Sequence, residues 1–292
     1  MIDSHAHIIS DDVDRYPPAP ADGQLKPNDL HEPMTVERLL AEMDRNGVER
    51  AVLVQRGSLY GFDNRYVCDS AGRFPDRLAA VCAIDAAADA GAASVRHWVQ
   101  ERGAAGIRLM ELIRGSDLSW LYSPPALDVW RTAAALGTPV CVHFFPWNRV
   151  EGLKALRRIL EELPGLSVVV DHFSNMDSLA GPPTYGLDEL FAAVAAFPGV
   201  RTKFTTIPLG RLDDAGVDVG PILKRVIDVF GPGRVMWGSD ITQSKGSYEH
   251  MVQLGRRAVA GLSPELQRQV LQTSVSSAYG VWGEAGLAPA GA

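Results

Sequence analysis

The chain has 292 residues, with 28 Lys and Arg against 35 Asp and Glu, for a formal charge of −7. Apolar residues make up 46% and charged residues 22%, an ordinary balance for a soluble globular protein. Net acidity without a Lys/Arg cluster argues against a nucleic-acid binder, and no apolar run reaches the ~18 residues of a membrane span.

The N-terminus, MIDSHAHIIS, has no basic stretch followed by an apolar core, so no Sec-type leader is expected. Cys68, Cys82 and Cys141 are too few and too scattered for a disulfide framework or a zinc ribbon. A reducing cytoplasm is the expected compartment, and each cysteine reads as a small buried apolar residue rather than a nucleophile.

In chain order, a short apolar run repeatedly gives way to a loop and then to an amphipathic stretch. The first strand is expected over Ile2–Ile8, followed by a Pro- and Asp-rich loop, Ser10–Pro33. A helix over Thr35–Asn46 puts Val36, Leu39, Leu40 and Met43 on one face and stops at Gly47. Strands follow at Arg50–Val54 and Leu78–Ile84, then a helix over Asp89–Arg102. The fourth strand, Gly106–Met110, leads into an irregular stretch, Arg114–Ser123. A helix over Pro124–Leu136 opens on prolines, which a first turn tolerates. Next come the strand Pro139–Phe144, the helix Glu151–Leu163, the strand Leu166–Asp171 and the loop Ser174–Tyr185. The helix Leu187–Phe197, the strand Val200–Phe204, the loop Thr205–Gly216 and the helix Val219–Phe230 continue the alternation. The strand Arg234–Gly238 and helices over Tyr248–Ala260 and Pro264–Tyr279 close it.

Near-continuous apolar strands such as AVLV and LSVVV suit a parallel sheet covered on both faces. Eight of them alternating with helices specify an α/β fold, a (β/α)8 barrel, with no linker to divide 1–292 into two domains. The long loops all follow strands, at the barrel end where sites are built.

His5 and His7 lie at i and i+2, on one face of a strand, so their imidazoles converge as a divalent metal requires. His143 ends PVCVH, His172 ends LSVVVDH and Asp240 follows VMWGS. One polar residue at a strand end is unremarkable. Four of the chain's seven histidines and an aspartate at such positions predict one ring at the barrel mouth.

IDSHAHI, GIRLM, VCVHF, VVVDHFS, VRTKFT, VMWGSD and SSAYG together resemble the amidohydrolase superfamily. The nearest resemblance is to its amidohydrolase-related, lactonase-like branch of TIM-barrel metal-dependent hydrolases, over nearly the whole chain. The resemblance implies His5, His7, His143 and Asp240 as metal ligands and His172 near the substrate. Binuclear relatives carry a carboxylated lysine on the fourth strand, where this chain has Arg108, so one metal is implied. Zinc is the expected ion. Manganese, cobalt or iron suit the same ligands, and some lactonases of the branch work without metal.

The implied chemistry is opening of a lactone or related cyclic ester, with Asp240 as general base on water. If Asp240 only ligates, His172 takes that role. A decarboxylase or hydratase of an aromatic-breakdown acid is the alternative on the same scaffold. A barrel that merely binds a small acid is disfavoured by so many converging ligands.

Arg108 and Lys203 interrupt apolar strands and need partners. They are expected to bind a small anionic, carboxylated substrate, and Lys203 also matches a lysine common in the lactonase-like relatives. Arg56 and Arg149 read as solvated loop charges. Tyr60, Tyr122, Tyr185 and Trp147 read as packing of the barrel rim, Trp237 as core, His31 as exposed, and His97 and His250 as structural. Ser174 and Asn175 are candidates to orient His172. No GxGxxG or phosphate-loop pattern occurs. Whether copies of the chain associate into a homo-oligomer is left open.

Overall fold

Eight parallel strands pair in chain order: β1 (Ile2–Ala6), β2 (Arg50–Val54), β3 (Leu78–Ala83), β4 (Gly106–Met110), β5 (Val140–His143), β6 (Val168–Val170), β7 (Val200–Thr205) and β8 (Val235–Gly238). A computed structural model describes residues 1–25, 30–115 and 117–283. Positions 26–29 of the expected loop Ser10–Pro33, Ser116 of Arg114–Ser123, and 284–292 of the expected 1–292 domain lie outside the described residues.

The sheet closes where β8 meets β1. The Asp240 N–H donates to the His5 carbonyl (2.7 Å). Gly238 makes this approach feasible, because a Cβ there would stand 2.6 Å from the His5 Cβ and 2.9 Å from its backbone nitrogen. Helices cover the outside of the (β/α)8 barrel, held in place by side-chain caps. Thr35 accepts from the Arg38 N–H, Ser123 from Ala126 and Asp188 from Phe191.

Two apolar layers result. Ile107, Leu109, Val142, Phe204 and Trp237 face outward to the helices. Ile2, Val52, Val54, Val81, Cys141, Val169 and Met236 face inward, plugged from below by Val275, Ala278 and Tyr279. This two-residue alternation dictates that Arg108, His143, Asp171 and Lys203 also point inward, above the apolar floor.

Most expected elements are present within a few residues, and Pro124–Leu136 matches at both ends. Four stretches differ, one of them Asp89–Arg102, where the helix Gly91–Arg96 gives way to a widened turn at His97–Glu101. Thr205–Gly216, expected to be irregular, carries a helix at Thr206–Asp214; Pro208 sits in its first turn, where proline is tolerated, and Thr206, Leu209 and Leu212 are buried at three-residue spacing. Helices at Gly57–Tyr60 and Arg65–Arg73 fill the connection after β2, where none was predicted. The last expected helix is divided into Pro264–Arg268, a widened turn at Gln269–Thr273, and Ser274–Tyr279. Among the described residues, no helix is long and apolar enough to cross a membrane.

Candidate active site

Strict alternation along β1 would defeat the histidine pair. Ile2 faces inward and Asp3 pairs with Ala51, so His5 and His7 should share Asp3's outward parity. The register slips between Asp3 and Ala6: Asp3 pairs with Ala51 but Ala6 pairs with Leu53, a bulge that turns both imidazoles into the barrel. Asp3 braces it. Its carboxylate accepts from the His5 N–H (3.0 Å), the Ser239 N–H (2.8 Å) and the Tyr248 hydroxyl (3.1 Å). Complete burial raises the Asp3 pKa, and these hydrogen bonds oppose that shift.

Directly above the apolar floor lies a charged layer. Asp171 contacts the Arg108 Nε (2.9 Å), the Lys203 Nζ (3.2 Å) and the His5 Nδ1 (3.4 Å). Burial alone would push the Asp171 carboxyl up. Lys203, His5 and Arg108 together outweigh it and hold the group well below its usual range. Lys203 is fully buried, 3.3 Å from the His5 Nδ1, with its ammonium over the Tyr279 ring.

The upper ring consists of His7, His143, His172 and Asp240. The His7 Nδ1 lies 2.6 Å from the Val54 carbonyl, so it carries the proton and leaves Nε2 a bare lone pair. That lone pair faces the Asp240 Oδ1 at 3.4 Å, and the His5 Nε2 stands 3.6 Å from the same oxygen. The His5 Nε2 is buried without a hydrogen-bond partner. Donor atoms of His5, His7 and Asp240 all lie within 4.8 Å of one another, and so do those of His5, Asp171 and His172. The second group suits a cation less well, because Arg108 and Lys203 already neutralise Asp171.

His143 stands apart from both groups. Arg108 Nη2 lies 3.1 Å from its Nδ1, and a guanidinium can only donate. Burial, with Arg108 second, depresses the His143 pKa to about 3. The ring is therefore neutral, protonated on Nε2 and free of any protein partner there. His172, whose pKa is also driven well down by burial and then by His143 and His5, pairs its Nδ1 with the Thr205 hydroxyl (2.6 Å). It opens a run of four left-handed residues, His172, Phe173, Ser174 and Asn175. Each costs on the order of 1 kcal/mol, and the Asn175 amide anchors the turn on the Phe144 carbonyl (2.7 Å).

These side chains open into a cavity of about 310 Å³ lined by His7, Arg108, His143, His172 and Asp240, near the lower end of small-molecule sites. The rest of its wall comes from Asp22, Gln24, Arg56, Ser58, Glu111, Phe145 and Gln243, with the apolar Met110, Leu112 and Ile207 among them.

The amidohydrolase family model matches residues 2–273. The chain belongs to the amidohydrolase family. It is an enzyme of the hydrolase class. Over 253 residues it is 29% identical to an L-fucono-1,5-lactonase of Burkholderia ambifaria, covering 82% of this chain and 79% of that protein. Its fold resembles a probable 2-pyrone-4,6-dicarboxylic acid hydrolase from Acinetobacter baumannii, with citric acid bound, at TM-score 0.74 and 20% identity over 96% and 98% of the two chains. A Burkholderia multivorans amidohydrolase with bound zinc follows at TM-score 0.72 and 19% identity, over 96% and 99%. A 5-carboxyvanillate decarboxylase from Novosphingobium aromaticivorans, with manganese, gives 0.68 and 16%, over 96% of each chain. At these identities the solved structures share the barrel.

Within this family member, the sequence-predicted residues fall into two levels. His7, Arg108, His143, His172 and Asp240 line the cavity, whereas His5 and Lys203 lie beneath it. Lys203, expected on the substrate, is directed at Asp171 and His5. The partner that a charge inside an apolar strand demands is supplied by the protein itself. Arg56, read as a solvated charge, is buried at the cavity wall. Arg149 is also buried, paired with Asp188 away from the cavity. Asp171 and Asp3 were missed. Period two along VVVDH places Asp171 inward with Val169 and could have found it; the bulge that Asp3 braces leaves no sequence signal.

Proposed function

We propose that this amidohydrolase opens the lactone ring of a small sugar-acid lactone by attack of water, with Asp240 as general base. The observation that carries the reading is the Asp240 Oδ1 held between the His7 and His5 Nε2 atoms at 3.4 and 3.6 Å, at the base of the cavity.

His5, His7 and Asp240 fit one divalent ion, zinc or manganese, because their ligand atoms lie within 4.8 Å of one another and the buried His5 Nε2 has no protein hydrogen-bond partner. When bound, such an ion supplies positive charge that acidifies water and polarises a carbonyl. The protein's own groups do the rest. The His143 Nε2–H donates to the lactone carbonyl oxygen and stabilises charge as it develops. Asp240, steadied by the Ser244 hydroxyl on Oδ2 (2.8 Å), takes the proton from the attacking water and returns it to the departing ring oxygen. His172, fixed by Thr205, borders the same space and orients the substrate. Arg108 holds the His143 tautomer rather than serving as a simple carboxylate clamp.

A polyhydroxylated ring is favoured by the outer wall. Asp22, Gln24, Ser58 and Gln243 present hydroxyl-binding groups, with Gln243 bridging to Ser58 (2.8 Å). The relative's activity on a sugar lactone agrees. A carboxylated lactone is the second class, and buried Arg56 on the wall favours it. The test is a pH-stat panel of aldonolactones, carboxylated lactones and aromatic carboxylic acids. One acid equivalent per turnover from an aldonolactone supports the proposal. Carbon dioxide from an aromatic acid, without lactone opening, replaces it with the decarboxylase.

A further inference from the structure

Two thiols unrelated to the chemistry above lie side by side. Cys68, on the helix Arg65–Arg73, and Cys82, on β3, have their Sγ atoms 3.3 Å apart. The approach is built in. One turn before Cys68, Asn64 clamps the residue that follows Cys82: its Oδ1 accepts from the Ala83 N–H (2.7 Å) and its Nδ2 donates to the Ala83 carbonyl (3.0 Å). Helix and strand are thus fixed together on one side of the pair, and a disulfide requires the sulfurs to close by only about 1.2 Å, to a bond near 2.05 Å.

The two sulfurs are not equivalent. Cys82 is wholly buried. Cys68 lines a second cavity, of about 550 Å³, formed on the flank of the barrel with Tyr16, Tyr66, Asp69 and Arg102. That cavity is separate from the catalytic one, and no lining residue is common to both. We infer that Cys68 and Cys82 form a peroxide-driven intramolecular disulfide that staples the helix Arg65–Arg73 to β3.

The division of labour follows from the surroundings. The hydrogen bond from Cys82 lowers the Cys68 pKa, burial opposes this, and the charge of Arg102 adds to the lowering. Burial, reinforced by Cys68, drives the Cys82 pKa well up, so Cys68, the sulfur that lines the second cavity, is the one to react first. The Cys68 thiolate attacks a peroxide oxygen; the O–O bond breaks, sulfur is oxidised to sulfenic acid, and the other oxygen leaves and takes up a proton as water. The Cys82 sulfur then attacks the sulfenic sulfur. The S–S bond forms, the S–O bond breaks, and hydroxide leaves with the Cys82 proton as a second water. Two thiols lose two electrons and one peroxide gains them. Cys141 takes no part, since its sulfur is buried in the barrel floor against the Tyr279 hydroxyl (3.1 Å).

The link closes a short loop, and no residue of the catalytic cavity lies between positions 68 and 82. Oxidation therefore stabilises the protein and leaves turnover within about twofold. On the chain-entropy argument, Tm rises by about 5 °C or more.

The experiment treats fully reduced protein with a small excess of hydrogen peroxide, then denatures, alkylates and digests it with trypsin. The expected result is a mass loss of two hydrogens, one alkylatable thiol instead of three, and a cross-link between peptides 66–73 and 78–96. The Tm gain should be present in the wild type and absent from both Cys68→Ser and Cys82→Ser. Three surviving thiols, Cys68 recovered as sulfinic acid beside an alkylated Cys82, or a cross-link that includes Cys141 would each overturn the inference.

Discussion

Lys203→Met removes a buried ammonium and leaves a side chain of similar length. The lysine is fully buried and 3.2 Å from the Asp171 Oδ1, so its loss leaves that buried oxygen with only the His5 Nδ1 at 3.4 Å. Breaking such a pair costs about 3–5 kcal/mol. Asp171 keeps the Arg108 Nε at 2.9 Å, which places the expected cost at the low end, about 3 kcal/mol. At about 2–4 °C per kcal/mol for a chain of this size, Tm should fall by about 6–12 °C. Scanning calorimetry measures it directly. Adding Asp171→Asn removes the stranded charge, so the double variant should be less destabilised than the two single losses summed, by at least about 1 kcal/mol. If Lys203 instead held substrate, Lys203→Met would raise KM with Tm unchanged, and that pattern would refute the buried-pair account.

Arg108→Met should reduce kcat by tenfold or more with KM within about threefold, because the His143 proton is no longer held on Nε2; a raised KM for carboxylated lactones at normal kcat would return Arg108 to substrate binding. His143→Ala should keep the metal content of the wild type by plasma mass spectrometry yet lose turnover, whereas His7→Ala should lose both; metal loss in His143→Ala would make it a ligand after all. Asp3→Ala should cost about 3 kcal/mol through three lost hydrogen bonds to a buried carboxylate, and should lower metal occupancy as the bulge relaxes. Wild-type stability and occupancy in that variant would leave the bulge without its brace.

The barrel was legible because buried parallel strands read as apolar runs and glycines mark the helix ends, as Gly137 does in a left-handed conformation after Leu136. The helix Thr206–Asp214 was hidden by Pro208 and Gly210, residues that read as loop until proline is seen to occupy the first turn. Arg65–Arg73 was hidden because its buried face is short and partly polar: Tyr66 and Val67 recur at helical spacing only as Ser70 and the small Ala71. Within the site, strand-end placement brought out His143, His172 and Asp240. His5 and His7 face one another with ring centroids 4.9 Å apart, as the i, i+2 spacing leads one to expect, although β1 ends at Ala6 and its register slips between Asp3 and Ala6. Which nitrogen of His143 is free depends on Arg108, a long-range contact that no local pattern carries. The need of Lys203 for a partner was readable; that the partner is Asp171 rather than a substrate emerges only when β6 and β7 lie side by side.

The central claim rests on Asp240 moving the proton of the attacking water. The most direct test is steady-state kinetics of Asp240→Asn on the best aldonolactone of the panel, with metal content measured on the same preparation. The account predicts a fall in kcat of more than a hundredfold, with KM nearly unchanged, because the amide keeps the shape of the site but cannot accept a proton. Turnover at the wild-type rate would contradict it.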